Sequence, residues 1–153
     1  MRVVVNSSPL IALERIGSLD VLKSLYGTVV RPQSVLDELG AGRSRYNFDR
    51  ALFDTDWILT EPDPPEMVFR KELGAGETAA ITLAYKTAAD LVILDDLPAR
   101  LVATGLGLHI TGTLGVLTAA SRLGVIKDLA SSVHALQEHG FHLSEELIRT
   151  LLG

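Results

Sequence analysis

Two short runs constrain this chain more than anything else in it. "RVVV" (2–5) and "LVIL" (91–94) are unbroken apolar stretches, and each stops abruptly at polar side chains. A strand that is apolar on both faces is buried on both, as in a parallel sheet held between helices. "GTVV" (27–30) and "LHI" (108–110) are weaker strands of the same kind, and "WIL" (57–59) reads as an edge strand or a loop.

Helical patterns lie between the strands. "SPLIALERIG" opens on a Ser cap with Pro in the first turn and closes on Gly17. Ser18 to Gly27 repeats that punctuation, and "PQSVLDELG" (32–40) runs from Pro to Gly. Further helices are expected over 76–88, 97–107, 113–124, 128–140 and 144–153, with loops at 41–50 and 60–66. Such alternation predicts a three-layer α/β/α sandwich with a mainly parallel sheet. At 153 residues the chain is one domain, 1–153, long enough to bury its own core.

Composition excludes several classes. There is no cysteine, so neither disulfides nor thiolate metal sites are available, as suits a reducing cytoplasm. No window approaches the roughly 18 apolar residues of a membrane span, and "NSS" interrupts the N-terminal apolar run too early for a signal peptide. A cytoplasmic protein without a membrane segment is expected. The formal charge of −5 argues against a general nucleic-acid-packaging role. It does not argue against a metal nuclease, whose site is itself acidic. The mean hydropathy of +0.28 is high, and a second copy or a partner is expected to cover the excess.

Parallel α/β sheets bind ligands at the carboxyl ends of their strands. Asn6, Ser7 and Ser8 follow the first strand, and Asp95 and Asp96 follow "LVIL". Two adjacent carboxylates disfavour each other's ionisation, so either solvent or a cation must relieve them. Glu38 shares a helix edge with Val35 and Leu39, while Asp37 points elsewhere. Glu77 heads the stripe Ala80, Ile81, Ala84 near a helix N-terminus. One shared divalent cation, Mg2+ or Mn2+, explains all of these acids, whereas a cap, an ion pair or a surface charge explains each one singly.

Other features compete. His134, His139 and His142 invite a zinc reading, but Gly140 separates the last two and no cysteine joins them; surface or capping roles fit better. Ser7 and Ser8 lack a nucleophile elbow, and one of them is read as a helix cap. "GAGE" and "GLG" lack the lysine and spacing of phosphate loops and read as turns. "GRSRYNFDR" mixes Arg43, Arg45 and Arg50 with Tyr46 and Phe48, which suits either single-stranded RNA or packing within the protein. Arg100, four residues after Asp96, is expected to pair with it or to steady a phosphate.

Taken in order, "VVVNSSPLIAL", "VVRPQSVLDEL", "GAGETAAITLA", "LVILDDLPARLVA" and "TGTLGVLTAA" resemble the PIN-domain superfamily, from about residue 2 to the end. The closer resemblance is to PIN-like bacterial and archaeal proteins similar to the VapC toxins of toxin–antitoxin pairs. It implies a Rossmann-like α/β/α sandwich and a Mg2+- or Mn2+-dependent ribonuclease. By motif, the family's first acid falls on Asn6, with Ser8 as its hydroxyl neighbour. The second falls on Glu38, the third on Glu77, and the fourth at Asp95 or Asp96, with Asp96 the better match.

The sequence departs from the family at position 6, where Asn stands in place of Asp. Asparagine offers a metal its carbonyl oxygen but brings no charge and takes no proton. Two functions are therefore expected. One is a toxin-type ribonuclease with Glu38, Glu77, Asp95 and Asp96 on the metal, Ser8, Arg43, Arg45 and Arg100 on RNA, an antitoxin partner and a homodimer. The other is a degenerate PIN fold that binds nucleic acid or a partner without cutting.

Overall fold

The computed structural model describes residues 1–46, 50–65, 73–146 and 149, excepting the side chains of 43–46. Its centre is an all-parallel sheet of β1 (Val3–Val5), β2 (Val29–Pro32), β3 (Ile58–Glu61), β4 (Leu91–Ile93) and β5 (Ile110–Thr111). Their order across the sheet is β3-β2-β1-β4-β5. Val4 stands opposite Val30 on one side and Val92 on the other, so the two apolar runs of the sequence are neighbours in mid-sheet.

The helices are α1 (Ser7–Arg15), α2 (Val21–Tyr26), α3 (Gln33–Tyr46), α4 (Ala75–Lys86), α5 (Leu97–Gly105), α6 (Thr113–Arg122) and α7 (Leu129–Glu138). Because side chains alternate along a strand, β1 feeds two cores. Val3 and Val5 pack with Leu10, Leu13, Val35, Leu39, Val116 and Leu136 on the face of α1, α2, α3, α6 and α7. Val4 and Val92 pack with Ala80, Ile81, Ala84, Ala99 and Ala103 on the face of α4 and α5. Each fully buried valine or leucine contributes about 1.5–3 kcal/mol. The small residues of α4 and α5 let those helices sit close to the sheet.

Four local expectations are corrected. Residues 41–46 continue α3 instead of forming a loop, because Gly40 does not take the left-handed conformation that stops a helix. Thr60 and Glu61 belong to β3, in register with Arg31 and Pro32. Arg2 clamps Glu61 through both terminal guanidinium nitrogens, at 3.0 and 2.7 Å. The third correction is that Ser does not cap α1. Asn6 occupies the cap position, and Ser7 is the first helical residue with its hydroxyl committed elsewhere. Last, β5 lies two residues later than "LHI" suggested, at Ile110–Thr111. The helix expected over 144–153 falls largely outside the described residues.

One buried charge went unforeseen. Arg31 is 1% exposed, and it donates to Thr60 Oγ1 at 3.2 Å and to the Leu52 carbonyl at 2.6 Å. It thereby ties β2 to β3 and to the short 3-10 turn at Arg50–Leu52. Burial pulls its guanidinium below the usual arginine range.

Candidate metal centre and its surroundings

The chain winds outward from β1 through β2 to β3, then returns to lay β4 and β5 on the other side. The switch point is the crevice between the carboxyl ends of β1 and β4. Asn6 leaves β1 there, and its backbone N–H bonds the Ile93 carbonyl at 3.1 Å, so the two strand ends are stitched together. Asp95 and Asp96 leave β4 at the same level.

Glu38 reaches the crevice from α3. Ser7 Oγ donates to its Oε2 at 2.8 Å, and the Gly76 N–H donates to its Oε1 at 2.8 Å. Val35 and Leu39 bury the same helix edge while Glu38 itself stays accessible, so a solvated carboxylate is held at both oxygens. Gly76 is required here. A Cβ at that position would stand 2.5 Å from Glu38 Oε2 and 2.6 Å from Oε1. "GAGE", expected as a turn, is instead the N-cap and first helical turn of α4, and its second glycine makes room for a carboxylate. Asp37 faces away and accepts from Gln33.

Glu77 enters from the first turn of α4. Its Oε1 accepts from the Gly74 N–H at 3.2 Å. Its carboxyl lies within the influence of the Asp96 and Glu38 carboxyls. Burial foremost, and then these two acids, push its pKa above the usual carboxylate range against the Gly74 N–H. Asp96 caps α5 by accepting from the Ala99 N–H at 3.2 Å. Carboxylates within each other's influence need something positive between them, a proton or a cation.

Among the described residues, the buried side-chain oxygens that lack any hydrogen-bond partner are Asn6 Oδ1 and Glu77 Oε2. Both belong to this crevice, and Asn6 is only 2% exposed. Buried polar atoms are almost always satisfied, so two orphans at one switch point mark a place where something binds. Oxygen donors among these carboxylates fit Mg2+ or Mn2+, which take one or two carboxylates and keep several waters. Yet among the described residues no three of His, Cys, Asp and Glu are spaced to hold a metal by themselves. Asn6 replaces an acid, and Asp95 faces the other way.

Asp95 turns toward α6. It accepts from the Thr113 N–H at 2.7 Å and from Thr113 Oγ1 at 2.6 Å, with Arg100 beside it. Burial raises its pKa, while Thr113 and Arg100 oppose the rise. Arg100 therefore faces Asp95 and not Asp96, correcting the pairing expected from helical spacing. The Cβ of any residue replacing Gly112 would lie 2.8 Å from Asp95 Oδ1, so this corner is tightly closed.

Of the residues expected on RNA, Ser8 is exposed and lines a cavity beside Asp95 and Asp96. The side chains of Arg43 and Arg45, and Phe48, lie outside the described residues. His134 pairs with Glu138 on the surface, and His139 is the C-cap of α7, in keeping with ordinary surface and capping roles. Sequence reading missed Ser7 as the donor to Glu38 and Thr113 as the seat of Asp95. The signal for Thr113 was "TGT" directly after a short strand, a helix start that leaves N–H groups free.

No helix among the described residues is long and apolar enough to cross a membrane. No functionally curated protein matches the chain. Among solved structures, a PilT N-terminus domain protein, SSO1118, from the hyperthermophilic archaeon Sulfolobus solfataricus superposes with a TM-score of 0.60 at 16% identity, covering 78% of this chain and 93% of that one. At that identity the likeness speaks for the fold alone. The family model DUF3368, described as a PIN domain, matches residues 2–153. PIN domains are a nuclease-type fold whose members generally use divalent metal ions, and it is to this family that the chain belongs.

Proposed function

We propose that the protein is a Mg2+- or Mn2+-dependent ribonuclease hydrolysing phosphodiester bonds of single-stranded RNA. The observation that carries this reading is the pair of buried, unpartnered oxygens, Asn6 Oδ1 and Glu77 Oε2, among the acids of the crevice. Glu77 and Asp96 would hold the ion, with Asn6 Oδ1 as a neutral donor. A bound divalent ion supplies a water of lowered pKa and positive charge at the phosphate. Glu38, fixed by Ser7 Oγ and the Gly76 N–H, is then placed to take a proton from water at a carboxylate oxygen. Asp95 acts at one remove, holding the α6 N-terminus so that β4 presents Asp96 to α4. By the resemblance, a toxin role with an antitoxin partner and a homodimer, in the cytoplasm, belongs to this reading.

Asn6 favours a second reading, a PIN fold that binds RNA or a partner without cutting, since it removes one charge from the site. Cleavage of a single-stranded RNA by the purified protein with Mn2+ or Mg2+, with and without chelator, separates the two. The ribonuclease reading expects chelator-sensitive cutting that Glu77→Gln abolishes. If wild type is inert and Asn6→Asp switches cutting on, the natural protein is the non-cutting form.

A further inference from the structure

The sequence "LQEHGF" ends α7 with a glycine stop, and that stop places an aromatic ring. Gly140 takes φ 86°, its N–H bonds the Gln137 carbonyl at 3.0 Å, and the Phe141 N–H bonds the Leu136 carbonyl at 2.9 Å. This is the two-bond helix terminus that also brings the residue after glycine against the helix's last turn. Arg15 from α1 donates to the His139 carbonyl at 3.4 Å, tying the turn to the helix that starts at Asn6. Phe141 packs partly against the core beside Leu136.

A cavity of about 390 Å3 opens between this turn and α1, with Ser8, Arg15, His139, Phe141 and both Asp95 and Asp96 among its walls. A second, of about 550 Å3, lies toward α6, with Arg100, Arg122 and Thr118 among its walls. Asp95, Phe141 and His142 line both, so the two are lobes of one trough partitioned by the Phe141–His142 segment. Each lobe is of the roughly 300–1,000 Å3 size that takes a small ligand. The trough's charge opposes that of the chain. The protein carries −5 overall, yet among the described residues three arginines line the trough against two acids, Asp95 and Asp96. Asp95 is already held by the Thr113 N–H and hydroxyl.

An aromatic wall shared by the two lobes and guanidinium groups in both match a base stacked beside a phosphate backbone. A basic peptide would meet the arginines unfavourably. We infer that this trough seats single-stranded RNA, one base against Phe141 in the α1 lobe and a backbone phosphate beside Arg100 and Arg122 in the α6 lobe. The inference deepens the ribonuclease reading and rests on it for the polymer's identity.

Binding without catalysis tests it. Fluorescence anisotropy of a labelled single-stranded octaribonucleotide, in buffer free of divalent ions, is compared for wild type, Phe141→Leu and Arg122→Gln. Leucine keeps the apolar contact of the helix stop and removes the ring; Arg122 is exposed, so its loss leaves the fold alone. Phe141→Leu is expected to weaken binding about tenfold. Arg122→Gln is expected to weaken it several-fold and to lower the salt-dependence slope by about one. On wild type, a 4-thiouridine-bearing octamer should crosslink to the peptide that contains Phe141. Equal affinity in all three proteins, crosslinks confined to other segments, or no binding by wild type would each overturn the trough. If binding shows these losses but no divalent ion elicits cutting, the ribonuclease reading falls and the trough stands.

Discussion

At the carboxyl end of β4 the chain makes two opposite choices in two residues. The Asp95 carboxylate turns toward α6 and meets a backbone N–H and a hydroxyl, within the field of the Arg100 guanidinium. Asp96 turns toward α4, where it meets the influence of another carboxylate, and where one oxygen of Glu77 and one of Asn6 have no partner at all. The α6 side is a closed structural joint, with Gly112 and Thr113 fitted around the acid. The α4 side is left short of positive charge. A fold that can satisfy Asp95 so fully does not leave the Asn6 and Glu77 oxygens unsatisfied for want of donors, so the deficit belongs to the site's chemistry and not to poor packing.

The largest effect that tests this contrast falls on activity. Glu77→Gln or Asp96→Asn should lower RNA cleavage about a hundredfold or more, near 2.7 kcal/mol of transition-state stabilisation. Asparagine caps a helix as well as aspartate, so α5 should survive the second change. If both variants cut like wild type, the α4 side is no different in kind from the α6 side. Next comes Gly76→Ala, whose methyl must displace the Glu38 carboxylate. Denaturant titration should show a loss of about 1–3 kcal/mol, with cleavage falling as well.

The α6 side should respond in the reverse sense. Thr113→Val removes the hydroxyl that donates to Asp95, and about 1–2 kcal/mol of stability should go with it, while cleavage falls less than in Glu77→Gln. The smallest effect is on pH. Glu77 and Asp95 both have raised folded-state values. Stability from such groups is fully present below the ordinary carboxylate range and is lost as pH rises through their raised values. Without divalent ions the melting temperature should therefore rise as pH falls from neutral toward 5, and Glu77→Gln should remove part of that rise. Mn2+ added at neutral pH should raise it too, through a gain in stability of about 1.4 kcal/mol at ten times its dissociation constant. A pH response unchanged in Glu77→Gln would mean that the α4 carboxylates are not in conflict.

Much of this was legible before any coordinates. The runs 2–5 and 91–94 announced two central parallel strands, because only doubly covered strands are apolar throughout. Glycine stops marked most helix ends, and Gly40 misled because a stop needs the left-handed conformation, which the letter alone does not guarantee. The acids themselves were also legible as a set, since strand ends gather in this class of fold. What could not be read was direction. Arg100 sits at helical spacing from Asp96 and yet lies beside Asp95, and one of Ser7 and Ser8 read as a cap, whereas α3 brings Glu38 to Ser7.

The sequence alone determined the alternation of strands and helices, the two faces of the sheet and the residue types at its carboxyl edge. These follow from local periodicity and turn chemistry, which neighbouring residues control. Tertiary structure decided which oxygens are satisfied. Glu38 takes its partners from α1 and α4 and Asp95 takes its own from α6, helices far away in the chain, so the direction in which each carboxylate turns is set by which helix packs beside it.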